Sequence, residues 1–243
     1  MIKLASEGSQ LLNKAYYFSL FDGDAIASWQ LRRGEIITIE DCLKKHFRAR
    51  VIEAASGQVG IYIFEECHKD MEPPVDILLL QALPSRERME WIIQKTVELG
   101  IKIIVPFKST HSISLEELKQ PKAHRWQRVA LKAAKQCRRA SIPEIHSIME
   151  FPATLSFAEQ YEVKIMLWQE AVKGLASLMP QYKMECRIAL LVGPEGGFSQ
   201  LEIEEAQEAG FIPVSLGPRI LRTETAAIIA TGLIQYLWGD LGD

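Results

Sequence analysis

The residues whose types and spacing suit chemistry are concentrated in two short blocks towards the C-terminus. In the first, Arg187–Val192 runs into Gly193-Pro194-Glu195-Gly196-Gly197-Phe198, followed by Ser199-Gln200-Leu201-Glu202. Glycines in such a loop supply positive φ and let a ligand approach the backbone with no Cβ in the way. Ser199 and Glu202 have the spacing of a capping box, so a helix is expected to open there. The glycines would then lie between the C-terminal end of a buried strand and a helix N-terminus, where open α/β sheets bind ligands. The loop is not a dinucleotide fingerprint, since it lacks G-x-G-x-x-G and a later acidic residue at ribose-reading distance. It is not a Walker loop either, because no Gly-Lys-Ser/Thr follows. A plain strand-to-helix turn is the alternative.

The second block reads Leu216-Gly217-Pro218-Arg219-Ile220-Leu221-Arg222, then Thr223-Glu224-Thr225-Ala226. Two arginines flanking an apolar pair at the mouth of a sheet are costly unless each has an anionic partner. Phosphate is a natural one, because the guanidinium fork matches it bidentately; an internal pair with Glu224 or Glu195 is the alternative. Thr223 is expected to cap the last helix, with Glu224 in its first turn complementing the dipole.

A third feature is cationic. Arg125, Arg128, Lys132, Lys135 and Arg139 recur at three- or four-residue intervals, which puts them on one helical face with no acidic residue between Lys122 and Arg139. Trp126, Val129, Ala130, Ala133 and Cys137 make up most of the opposite side. Like charges at this spacing repel, so the stripe is expected to meet RNA phosphate, an ordinary solvated face being the alternative. Arg32, Arg33, Lys44, Lys45, Arg48 and Arg50 form a weaker cluster. The histidines (His46, His68, His111, His124, His146) have no metal-ligand spacing, and Cys42, Cys67, Cys137 and Cys186 show no C-x-x-C pairing. Reduced thiols and no metal are expected.

The elements that must position these residues fall into two groups. Ile36–Ile39, Phe47–Ile52 and Val59–Phe64 read as short strands that suit a small antiparallel barrel, with Ser56-Gly57-Gln58 as a tight connection. Cys67–Pro74 is polar and ends in two prolines, which suits a linker. Beyond it, strands are expected at Ile77–Leu83, Ile101–Phe107, Val163–Trp168, Arg187–Val192 and Pro213–Leu216. Helices are expected near 87–99, 122–139, 171–178, 200–209 and 224–238. Near-continuous apolar strands alternating with amphipathic helices indicate a parallel sheet covered on both faces. The last helix is apolar almost all round, as in a core or a subunit interface.

A formal net charge of −3 argues against a protein that coats nucleic acid indiscriminately, though not against a local basic patch. The N-terminus lacks the apolar core of a signal peptide, and no apolar run is long enough to cross a bilayer, so a cytoplasmic protein is expected.

The two C-terminal blocks, in this order and at this spacing, resemble the ribosomal RNA small-subunit methyltransferase E family. The resemblance extends upstream through Met89–Gly100, Gln136-Cys137-Arg138-Arg139 and Pro143-Glu144-Ile145. It covers residues 76–240, and 34–66 more weakly. It implies an α/β fold in two domains: a PUA-like small β-barrel over residues 1–72, and over 73–243 a SPOUT domain whose parallel sheet carries a C-terminal trefoil knot, an exception to the rule against threading. It implies a homodimer that methylates N3 of a uridine in 16S (small-subunit) ribosomal RNA with S-adenosylmethionine as methyl donor. Gly193, Glu195, Gly196 and Gly197 would line one cofactor loop. Leu216, Gly217, Ile220, Leu221 and Thr225 would line a second, and the strand ending at Trp168 a third wall. Arg222 and Arg219 would stabilise the anion that forms when the uridine imide loses its proton. Glu224 would assist deprotonation or orient an arginine, and ranks behind Arg222 because a carboxylate opposes that charge. Arg125, Arg128, Lys132, Lys135 and Arg139 would bind RNA. The sequence departs from the family pattern at Trp29–Glu35, at Thr110-His111-Ser112 in place of Glu-Arg-Ser, and at Lys135 in place of glutamate. All three lie where RNA contacts are expected and leave the cofactor loops untouched. Two competing functions remain, a non-catalytic RNA-binding or assembly protein on the same scaffold and a nucleotide-dependent oxidoreductase; the missing dinucleotide fingerprint disfavours the latter.

Overall fold

A computed structural model describes residues 1–19, 28–55, 58–113, 123–181 and 186–242. Ser56, Gly57 and Lys122, and the side chain of His124, lie outside the described residues. The chain divides into two compact units, one of residues 1–72 with 131–142, the other of 73–130 with 143–243.

The first unit is a five-stranded sheet of β1 (Ile2–Lys3), β2 (Lys14–Ser19), β3 (Ile36–Glu40), β4 (His46–Ala55) and β5 (Gln58–Glu66), in the order β1-β3-β4-β5-β2. The three strands expected from alternation are present and antiparallel, while β1 joins the edge in parallel with β3. The sheet is therefore mixed rather than antiparallel throughout, and β1 and β2 end its path. Alternation points Ile37, Ile39, Phe47, Ala49, Val51, Val59, Ile61 and Ile63 into one core with Ile2, Trp29 and Leu131. Filling that core with Phe47 alone contributes on the order of 1.5–3 kcal/mol.

Glu72 ties the segment 139–141 to this unit. Its carboxylate accepts bonds from Arg139 Nη2 (2.6 Å), the amides of Ala140 and Ser141 (2.8 Å each) and Ser141 Oγ (2.6 Å). Burial pushes the Glu72 carboxyl up, but the Arg139 guanidinium and these donors outweigh it and hold the pKa below the ordinary value. Two of the departures from the family pattern meet here: Lys135 Nζ lies 2.7 Å from Glu35 Oε2 and donates to the Gln30 carbonyl at 3.2 Å.

The second unit is a wholly parallel sheet of β6 (Asp76–Ala82), β7 (Ile103–Lys108), β8 (Glu144–Ile145), β9 (Met149–Glu150), β10 (Val163–Leu167), β11 (Arg187–Val192) and β12 (Ile212–Val214). The order is β12-β10-β11-β6-β7-β8, with β9 also on β7. Its helices are α1 (Arg86–Glu98), α2 (Ala123–Gln136), α3 (Phe151–Phe157), α4 (Gln200–Glu208) and α5 (Thr223–Trp238), α2 passing into the first unit's residues at Leu131. Leu78, Leu80, Ala82, Val105 and Phe107 pack under α3 and α4, while α5, packed on α1, contacts β6 and β11.

Expectation and structure differ at several elements. The helix expected at 171–178 is a 3₁₀ segment, Leu175–Gln181, whereas α3 and β2 were not expected, and the two-residue strands β1, β8 and β9 are too short to show a period. The helix expected to run to 139 ends at Gln136, and Arg138 takes a positive φ of 63°. The last helix buries Ala227, Ala230, Ile234 and Trp238 but leaves Ile229, Leu233 and Tyr236 exposed. No described helix is long and apolar enough to cross a membrane.

Candidate active site

β6 leads to β7 and β8 on one side, whereas β10, β11 and β12 lie on the other, so the strand order reverses beside β6. Ligands in open parallel sheets bind beyond the strand C-termini at such a reversal. A cleft of about 490 Å³ opens there, at the ends of β10, β11 and β12.

Each wall has a local cause. The first is the turn after β11, closed by a bond from Gly197 N to Pro194 O (3.0 Å). Ser199 then caps α4 as expected: Glu202 N donates to its Oγ at 3.3 Å, and Ser199 N donates to Glu202 Oε2 at 2.8 Å. Glu202 also accepts the amide of Thr110 at 2.8 Å, and His111 Nδ1 donates to Gly197 O at 3.1 Å, so the loop after β7 is tied to this turn. Burial raises the Glu202 pKa, but the amide bonds from Ser199 and Thr110 outweigh it and keep the carboxylate ionised. The second wall is the segment 215–222 after β12. Its Gly217 has φ +114°, a conformation that a side chain would strain. The third wall is Leu167 and Trp168 at the end of β10, with Trp168 N donating to Val214 O at 3.0 Å.

Thr223 joins the first two walls. It was expected to cap α5, but Arg222 occupies the cap position and makes no side-chain cap bond. The Thr223 hydroxyl is committed elsewhere: it donates to Gly193 O at 2.7 Å and accepts from Gln81 Nε2 at 3.0 Å. One buried hydroxyl thus fixes the turn after β11 against the start of α5.

Of the residues singled out in sequence, Trp168, Gly193, Glu195, Gly196, Gly197, Leu216, Gly217, Arg219, Ile220, Leu221 and Arg222 line the cleft together. Thr225 and Glu224 do not line it: Thr225 is exposed on α5, and Glu224 is turned inward, nine-tenths buried. Neither Arg219 nor Arg222 forms an ion pair among the described residues. Glu195 and Glu224 instead share Arg88, which ion-pairs with Glu195 Oε1 and has its Nε 3.8 Å from Glu224 Oε2. The internal pairing considered for the two arginines is therefore not formed. Sequence reasoning missed Arg88 and Gln81, because nothing local distinguishes a first-turn arginine, or a strand glutamine, that reaches the cleft loops; His111, expected at an RNA contact and clear of the cofactor loops, instead bonds Gly197 in one of them.

The cationic stripe fares unevenly. Arg128 and Lys132 are exposed on α2, while Arg125 pairs with Glu90 (2.7 Å) and Lys135 with Glu35. Arg139 lies beyond the helix end, buried against Glu72, and so is not on the exposed face that spacing implied. Among the described residues no cluster of three or more His, Cys, Asp or Glu is suited to a metal.

The parallel sheet and its cleft lie within residues 71–235, which match the profile of the RNA methyltransferase domain family. A ribosomal RNA small subunit methyltransferase E from Buchnera aphidicola of Schizaphis graminum is 37% identical over 198 residues, 80% of this chain and 79% of the relative. The Bacillus subtilis protein of that name is 28% identical over 85% and 84%. Among solved structures, the Neisseria gonorrhoeae enzyme of that name, bound to S-adenosylmethionine, superposes with a TM-score of 0.72 at 30% identity over 99% of this chain and 98% of that one. A methyltransferase from Legionella pneumophila with bound S-adenosylmethionine gives 0.70 at 32% identity over 99% of both. The chain belongs to the ribosomal RNA small subunit methyltransferase E family.

Proposed function

We propose that the protein transfers a methyl group from S-adenosylmethionine to N3 of a specific uridine in 16S ribosomal RNA. The observation that carries the reading is the Thr223–Gly193 hydrogen bond, which makes one cleft of the two glycine-containing loops. The cleft fits the donor: its volume lies within the roughly 300–1,000 Å³ of small-molecule sites, and its walls combine an indole, backbone amides and aliphatic side chains. Gly193, Glu195, Gly196, Gly197, Leu216, Gly217, Ile220, Leu221 and Trp168 would hold it, without Thr225. When bound, S-adenosylmethionine supplies a methyl group activated by its sulfonium charge.

The protein's part is orientation and charge. N3 of uridine must lose its proton before it can attack, and Arg222 and Arg219, which form no ion pair among the described residues, bring guanidinium charge to the cleft to stabilise the anion or its phosphate. Glu224, enclosed beside Arg88, acts by orienting that arginine rather than by taking the proton. RNA is held along α2 by Arg128 and Lys132. Arg125 and Lys135 are available only by exchange of their partners, and Arg139 contributes through the fold of its segment.

The finer architecture belongs to the same reading: a PUA-like barrel built on the mixed sheet of residues 1–72, and a SPOUT domain over 73–243 whose C-terminal loops form a trefoil knot. The exposed apolar side of α5 (Ile229, Leu233, Tyr236) supports a homodimer, and the substrate puts the enzyme in the cytoplasm. The test is transfer of labelled methyl to small-subunit rRNA, with mass spectrometry of the modified nucleoside. Transfer is expected from the wild type and lost in Arg222→Ala; a purified protein that neither binds the donor nor modifies uridine N3 overturns the reading.

A further inference from the structure

Arg88 stands in the first turn of α1, outside both C-terminal blocks, yet its guanidinium reaches the two acidic residues that border them. Glu195 belongs to the turn after β11 and Glu224 to the first turn of α5. The Glu224 Oε2 atom is fully enclosed and accepts no hydrogen bond, so Arg88 Nε at 3.8 Å is the cation that balances it. Two other charged groups at this end of α1 are engaged with each other, since Glu90 takes Arg86 at 3.4 Å and also Arg125 at 2.7 Å, while Glu87 is exposed. Arg219 and Arg222, on the segment between the two acids, line the cleft and form no ion pair among the described residues.

We propose that Arg88 is a positioning residue that sequesters Glu195 and Glu224, and thereby keeps Arg219 and Arg222 free for the phosphate or the developing anion of the RNA substrate. The inference rests on the functional reading above for the identity of the anion. Its physical content is charge partition. Without Arg88, two carboxylates lose their counterion, one of them enclosed, and they compete for Arg222, two residues before Glu224, and for Arg219, which the substrate needs. A planar fork can serve two carboxylates from different segments, whereas a lysine ammonium is a single point of charge.

The experiment measures rRNA-fragment affinity by fluorescence anisotropy, donor affinity by calorimetry, and KM and kcat for methyl transfer. Arg88→Gln is expected to weaken RNA binding and raise the RNA KM by roughly tenfold, with donor affinity changed by less than about threefold. Arg88→Lys recovers part of the loss. Adding Glu195→Gln and Glu224→Gln to Arg88→Gln recovers most of it, because both released carboxylates are gone. A residue that only braced the fold would lower donor and RNA affinity together, with no rescue by the glutamines. If Arg88→Gln does not fold, Glu195→Gln/Glu224→Gln with Arg88 intact is the second variant, and it should hold or tighten RNA. Unchanged RNA affinity in Arg88→Gln, absence of rescue, or weaker RNA binding in the glutamine pair overturns the proposal. Because anisotropy needs no turnover, a wild type that binds RNA in this pattern but transfers no methyl would sink the proposed function and leave the role of Arg88 standing.

Discussion

Thr223→Val replaces a buried hydroxyl with a methyl group of similar shape, so what it removes is hydrogen bonding. Two bonds go: the donation to Gly193 O at 2.7 Å and the acceptance from Gln81 Nε2 at 3.0 Å. Each is worth about 0.5–1.5 kcal/mol net, and a buried partner left unsatisfied costs about 1–3 kcal/mol. Gln81 Nε2 keeps a second acceptor, the Ala82 carbonyl at 2.9 Å, so the main orphan is the Gly193 carbonyl. The sum is on the order of 2–3 kcal/mol. Part of it appears as lost stability, and the rest as a looser cleft in which the two loops no longer share an anchor. At about 1.4 kcal/mol per decade, donor affinity should fall by roughly ten- to a hundredfold. Calorimetric titration with S-adenosylmethionine reads it directly, alongside hydrogen exchange of the amides at 193–199. Thr223→Ser retains the hydroxyl and should bind within a few-fold of wild type. A valine variant that binds the donor as tightly as wild type, with unchanged exchange in the loop, would refute the view that this hydroxyl couples the walls.

Other outcomes follow from the same geometry. Glu72→Gln should destabilise the first unit at neutral pH by about 3–5 kcal/mol in denaturant melts, because it leaves Arg139 without its main counterion. Since the Glu72 pKa is depressed on folding, this stabilisation is present above the ordinary carboxylate value and is lost as the pH falls towards the depressed one. The gap between wild type and variant should therefore close in acid, and a gap independent of pH would contradict the pairing. Gly196→Ala puts a Cβ 2.8 Å from the Cβ of His111, so donor affinity should drop about tenfold, and His111→Gly in the same chain should recover part of it. If the double variant binds no better than Gly196→Ala alone, the close approach is not the cause. Arg128→Glu and Lys132→Glu, each made singly, should lower the slope of log affinity against log salt by about one for rRNA fragments. An unchanged slope would remove that residue from the RNA interface.

The two C-terminal blocks, the parallel sheet and the capping box at Ser199 were legible from the residues, because each depends on neighbours only a few positions away. Glycine, a cap and an apolar strand announce themselves locally. The span Arg187–Val192 was read to the residue for that reason. The short elements were not legible. Two-residue strands such as Ile2–Lys3 have no period to detect and form only because β3 offers an edge.

Tertiary structure alone decided those partners of charged and polar side chains that lie far apart in sequence. Arg88 meets Glu195 across 107 positions of sequence, and Gln81 meets Thr223 across 142. No local pattern encodes such distances. Thr223 reads as a helix cap in sequence because its type and place suit one, but the fold brings a carbonyl within 2.7 Å and the hydroxyl takes that instead. Arg139 continues a cationic period on paper and is withdrawn from it in three dimensions, since the helix ends at Gln136 and Glu72 encloses it. The sequence by itself determined where the backbone could open a ligand cleft. Packing determined which charges would be left facing it, because ion pairing depends on separations of a few ångströms that only the folded chain creates.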